Sequence, residues 1–245
     1  MPPETPAFND LLRLALDGTA ASLAIANLGR MLNERYLHHF MSHRFQEQFA
    51  LLDLHTSEFR QQLHPEWPTW KKSTGIRFGQ YKSENVEGIN KKKTRKYFPV
   101  TKTKGGAGFL DFTLGDYACP TVAIELTTKF GWAHEEVVYD LMKLIDGRNR
   151  SFKAVVSCNL ILREKGLAEA GKKTRLKRNM ETALKEAKER LDIHLCDDDR
   201  ELFFVASEIS PSSRRHWFYR CENDEFIESE NLPPFLVDSP KNNKD

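Results

Sequence analysis

Gly108-Phe109-Leu110-Asp111-Phe112-Thr113-Leu114 and Thr121-Val122-Ala123-Ile124-Glu125-Leu126-Thr127-Thr128-Lys129 decide how this chain folds. Leu110, Phe112 and Leu114 alternate along the first stretch, and Val122, Ile124 and Leu126 along the second, which is the period of a strand with one buried face. Gly115-Asp116-Tyr117-Ala118-Cys119-Pro120 joins them. A hairpin symmetric about Ala118 sets Leu114 against Val122, Phe112 against Ile124 and Leu110 against Leu126. The same register sets Asp111 across from Glu125 on the other face. A slip of one residue would destroy both matches.

Two carboxylates facing each other on paired strands sit about 4.5–5.5 Å apart at Cβ. At an effective dielectric of 20 they repel by roughly 3–4 kcal/mol. A cation between them removes that cost. Mg2+ suits the pair, with Mn2+ as a substitute, because it takes one or two carboxylates and fills its shell with water and phosphate oxygens. The chemistry implied is phosphodiester hydrolysis, in which the ion polarises a phosphate and acidifies a bound water.

Outward from the hairpin, residues 8–63 read as helical, with Leu28, Leu32, Leu37, Phe40, Met41 and Phe45 at three- and four-residue steps and Gly18 as a break. His64-Pro65-Glu66-Trp67-Pro68-Thr69-Trp70 punctuates the chain. Ile76, Phe78 and Tyr81 suggest a first strand, and the Lys91–Lys96 run a solvated loop. After Gly131, residues 134–145 form an amphipathic helix with Gly147 as its stop. The almost continuously apolar stretch 152–162 reads as a central strand covered on both faces. A long helix follows at about 172–191, and strands at 202–209 and 216–221. The tail after Pro233 reads as disordered.

The run from Gly106 to Asp111 followed by Val122-Ala123-Ile124-Glu125-Leu126-Thr127 resembles the D…E-x-K signature of the PD-(D/E)xK, or restriction-endonuclease-like, nucleases. The following helix and buried strand agree with that family's α-β-β-β-α-β core. The resemblance implies an α/β mixed sheet flanked by helices, with residues 1–70 a helical segment packed on a core of 71–232 and 233–245 a tail. It implies a Mg2+-dependent endonuclease acting on DNA, with Asp111 and Glu125 as metal ligands. Glu34 could correspond to the acidic residue many members carry on their first helix. The family's lysine position is Thr127 here. Lys129, on the same face of the strand, or Lys143, on the next helix, could supply the ammonium. If neither does, the chain is a silent nucleic-acid-binding subunit of the same fold in a larger complex.

The chain has 245 residues, 40% of them apolar, and a formal net charge of +2. Its charges are unevenly spread: Lys71 to Lys104 holds eleven Lys and Arg against two Glu. Lys91, Lys92, Lys93, Arg95 and Lys96 are therefore candidates for phosphate contact. A second basic run spans 163–178, and the acidic stretch 222–230 offsets both. A protein-interaction scaffold pairing these segments is a further reading. His39 and His43 have the i, i+4 spacing of zinc ligands without an evident third, and Trp67 and Trp70 could stack on bases or plug a core edge. Four dispersed cysteines, no secretion signal and no apolar run of spanning length read as a reduced, cytoplasmic protein without membrane association. Two-strand cleavage would call for two sites, hence a homodimer or a multi-protein complex.

Overall fold

The computed structural model describes residues 34–51, 63–68, 80–87, 93–100, 106–107, 109–116, 119–130, 132–149, 152–162, 171–192, 196, 200–209 and 214–228. Two compact units separate: Gln61–Ser229, which holds every described strand, and Met1–Arg60 with Glu230–Asp245. The second contains helix α1 (Glu34–Leu51), whose Leu37, Met41 and Phe45 are buried at four-residue steps. Ile76, Phe78, Trp70, Lys91, Lys92 and the tail lie outside the described residues.

The larger unit is mixed α/β. Its main sheet has seven strands in the order β1 (Leu63–Pro68), β5 (Phe109–Asp116), β6 (Cys119–Phe130), β7 (Ala154–Leu162), β8 (Glu201–Ile209), β9 (Arg214–Glu222) and β10 (Glu225–Glu228). A smaller sheet inserted in the chain between β1 and β5 is ordered β3 (Lys93–Val100), β2 (Gln80–Glu87), β4 (Gly106–Ala107). Strands β6, β7 and β8 run parallel. Parallel neighbours need a long crossover, supplied by α2 (His134–Ile145) and α3 (Gly171–Leu191).

The hairpin forms in the register read from its alternation: Phe112 pairs with Ile124, Thr113 with Ala123 and Leu114 with Val122. Beyond Leu114 the register shifts to Gly115 with Pro120 and Asp116 with Cys119. The six-residue connection expected at 115–120 is thus mostly strand. Val137, Val138, Leu141 and Leu144 of α2 share one core with Met180, Ala183, Leu184 and Ala187 of α3 and with Ala123, Val155 and Phe204 of the sheet. Val156, Cys158, Phe203 and Val205, alternating with these along β7 and β8, are buried as well, which explains the unbroken apolar runs of the central strands.

Three expectations need correction. The Pro65–Pro68 segment is not a break after a helix reaching residue 63; it is an edge strand, with Leu63 opposite Leu114 and Trp67 opposite Leu110. Proline is tolerated there because an edge strand has one unpaired side. The Lys91–Lys96 run is not wholly a loop, since Lys93 to Lys96 pair with β2 from Glu87 to Glu84. Glu225–Glu228, read only as acidic, is a strand joined to β9 through Asn223 and Asp224 at φ 51° and 65°. Two successive positive φ values make a hairpin turn that Asn and Asp tolerate well. That dipeptide between alternating residues was the available signal.

Candidate functional site

Alternation along β6 puts Glu125 and Thr127 on one side of the strand, and α2 covers them with Asp140 and Lys143. All four are buried, with Glu125 only 1% exposed. Asp140 and Lys143 are three apart on the helix and so share a face. Lys143 Nζ lies 2.7 Å from Glu125 Oε1 and 3.2 Å from Asp140 Oδ1, and donates a 3.1 Å hydrogen bond to the carbonyl of Phe109. The Thr127 hydroxyl donates to the other Asp140 oxygen. The Tyr139 ring lies 4.7 Å from the same ammonium and stacks on Tyr97 of β3.

Half-buried Asp111 stands beside this cluster. Its Oδ2 accepts a 2.6 Å hydrogen bond from the main-chain N–H of Leu126, the residue after Glu125. The carboxylate of β5 thereby reaches the backbone of β6 next to Glu125.

Burial raises the Glu125 carboxyl well above its usual range; Lys143 pulls it down, while Asp111 and Asp140 push it up. Asp140 is raised to about 6, first by burial and then by Asp111, against the pull of Lys143 and Thr127. Burial alone would depress Lys143, but Glu125, Asp140 and Asp111 outweigh it and hold its ammonium protonated well above the ordinary range. Three carboxylates thus share one cation. Glu125 Oε1 makes the closest of these charge contacts, at 2.7 Å from the Lys143 ammonium.

The donor set, three carboxylates sharing one ammonium, fits a divalent cation, which Asp111 and Glu125 would hold. No group of three or more His, Cys, Asp or Glu stands ready to hold a metal among the described residues. Mg2+ needs fewer protein ligands than that, since waters and phosphate oxygens complete its shell.

The structure therefore brings Asp111, Glu125, Thr127 and Lys143 into one neighbourhood and adds Asp140, which sequence reasoning missed. The spacing of Asp140 and Lys143 on the apolar helix 134–145 was its signal: two charges on the face that meets the sheet. Lys129 lies in β6 opposite Ile161 of β7, four residues beyond Glu125, and its side chain is outside the described residues. The side chain of Glu34, at the start of α1, is likewise outside them. Of the basic run, Arg95 is exposed and bonds Ser83. Lys96 is turned inward, 3.3 Å from both Glu135 of α2 and Glu186 of α3. His43 pairs with Glu47 at 3.2 Å, and His39 is exposed on the same helix. Cys158 and Cys221 carry free thiols. No helix among the described residues is long and apolar enough to cross a membrane.

No family model matches the chain, and no curated protein or solved structure matches it. The functional reading rests on the residues themselves.

Proposed function

We propose that this chain is a metal-dependent nuclease of the restriction-endonuclease-like class, hydrolysing phosphodiester bonds of DNA. The observation that carries the reading is the 2.7 Å contact between Lys143 of α2 and Glu125 of β6. In this reading the helix delivers the ammonium that the signature would bring from position 127. The chain order of β1, β5, β6, α2 and β7 supports the reading too: three strands of one sheet, with the small sheet inserted after the first, then a helix and a parallel strand, the order the resemblance implies apart from that insertion.

When bound, the cation would polarise the phosphate and lower the pKa of a water. Asp111 and Glu125 hold it from adjacent strands. Lys143 donates hydrogen bonds to the oxygens that gain charge as the phosphate is attacked, and its place beside Glu125 keeps it fixed before substrate arrives. Asp140 and Thr127 orient that ammonium. The buried setting strengthens each of these interactions relative to water.

The alternative of a silent DNA-binding subunit is favoured by one feature: Lys143 is already satisfied by two carboxylates and a carbonyl. Cleavage separates the two. Purified protein should degrade or nick DNA with Mg2+ or Mn2+ and stop in EDTA, and Asp111→Ala and Glu125→Ala should each abolish the reaction while circular dichroism stays unchanged. Activity that survives EDTA or either substitution overturns the assignment. Binding without cleavage in any metal leaves the subunit reading.

A further inference from the structure

The site has an uncovered aromatic at its rim. Phe109 is 55% exposed, and only one other large apolar side chain, Ile227 at 47%, is comparably exposed among the described residues. A single exposed apolar residue needs no explanation by itself. The placement of this one does. Its carbonyl is the third partner of the Lys143 ammonium, at 3.1 Å, so its backbone is built into the site. It precedes Asp111 by two residues on β5, which projects both side chains to the same side of the strand, about 7 Å apart along it.

The four residues before Phe109, Gly105, Gly106, Ala107 and Gly108, carry nothing larger than a methyl group. Gly106 and Ala107 still belong to the small sheet, opposite Tyr81 and Gln80, and Phe109 already belongs to the main one, opposite Pro68. The ring therefore marks the step between the two sheets, beside the carboxylates.

Resting on the nuclease reading above, we propose that Phe109 is a stacking platform for an unpaired base next to the scissile phosphate, making single-stranded or locally unpaired DNA the preferred substrate. Stacked nucleotides follow one another at about 3.4 Å along a strand. A residue about 7 Å along the strand from Asp111 thus lies within reach of a base one or two nucleotides from a phosphate held there. A phenyl face recognises any base through its π surface. In an intact duplex both faces of a base are already stacked on neighbours, so the platform works only on a base that has left the helix.

The test measures binding of the full chain, with EDTA present so that nothing is cut, to a fluorescent oligothymidine and to a blunt duplex hairpin. Phe109→Ala should weaken single-strand binding by about tenfold to a hundredfold and duplex binding by less than about twofold, while Phe109→Tyr restores the single-strand affinity. Photo-crosslinking with 5-iodouracil beside the scissile position should attach to the Phe109 peptide. Equal losses on both substrates, no loss on either, or a change confined to self-association of the chain overturns the platform. A chain that grips single strands through Phe109 but cuts nothing overturns the nuclease reading and keeps the platform. A chain that cuts both substrates equally well with Phe or Ala at 109 does the reverse. A parent chain that binds neither oligonucleotide overturns the platform outright.

Discussion

Asp140 offers a stability measurement that reports directly on the crowding of charge. Its carboxyl is raised from 3.8 to about 6, with burial as the first cause and Asp111 reinforcing it. Such a displacement corresponds to about 3 kcal/mol against the charged form in the folded state. The sign follows from proton binding. Between about pH 4 and 6 folded Asp140 holds more protons than the unfolded chain, so stability falls as pH rises through this window and levels off above it. Of the total, roughly 1 kcal/mol falls between pH 5 and 7 for this group alone. Glu125, raised in the same direction, adds to it. Glu186, lowered to about 2, titrates too low to interfere, although burial opposes that shift, because His134, Arg190 and Lys96 bond its charged form. Asp140→Asn keeps the shape and still accepts from Thr127. Urea unfolding of both proteins in EDTA should show the variant gaining on the parent by roughly 1 kcal/mol from pH 5 to pH 7. A difference that stays constant with pH, or moves the other way, would refute the idea that three carboxylates compete for one ammonium.

Lys143→Met removes that ammonium and strands two buried carboxylates, so it should cost about 3–5 kcal/mol near neutral pH and lower single-turnover cleavage by about a hundredfold or more. Lys129→Ala should leave both quantities near the parent values, and the opposite ranking would return the lysine to the strand. Changing Lys91, Lys92, Lys93 and Arg95 together to Ser should flatten the dependence of log affinity on log salt. Lys96→Ser should leave that slope alone and lower the unfolding midpoint by an amount below about 1 kcal/mol, because its partly exposed pairs lie within the protein.

Local periodicity carried most of this fold. The α2 helix fell at 134–145 as read, because its apolar stripe is unbroken, and the pairing of Phe112 with Ile124 followed from alternation alone. What failed was tertiary. Leu63 to Pro68 does alternate, with Leu63, Pro65 and Trp67 on one side, but its two prolines read as punctuation, and it pairs as a strand because β5 offers it an edge. Lys93 to Lys96 looks solvated until β2 pairs with it and Glu135 and Glu186 meet Lys96. In the candidate site, Asp111 and Glu125 were legible through register. Lys143 was legible only as one of two lysines, and Asp140 only through its spacing from Lys143 on the apolar helix, because their meeting with Glu125 depends on how a helix rotates onto a sheet, which no strand pattern encodes.

The ammonium at the site and Asp140 belong to a helix, whereas Asp111 and Glu125 come from a hairpin. Sheet and helix must therefore dock before the two can meet, so in a nascent or partly opened chain Asp111 and Glu125 stand without the ammonium. Local opening of α2, a smaller event than global unfolding, would separate the halves and leave the hairpin intact. If the chain cuts nucleic acid, its competence is then tied to tertiary completion: the fraction of molecules with α2 docked sets the fraction able to act. An enzyme built this way stays silent through its own synthesis and refolding.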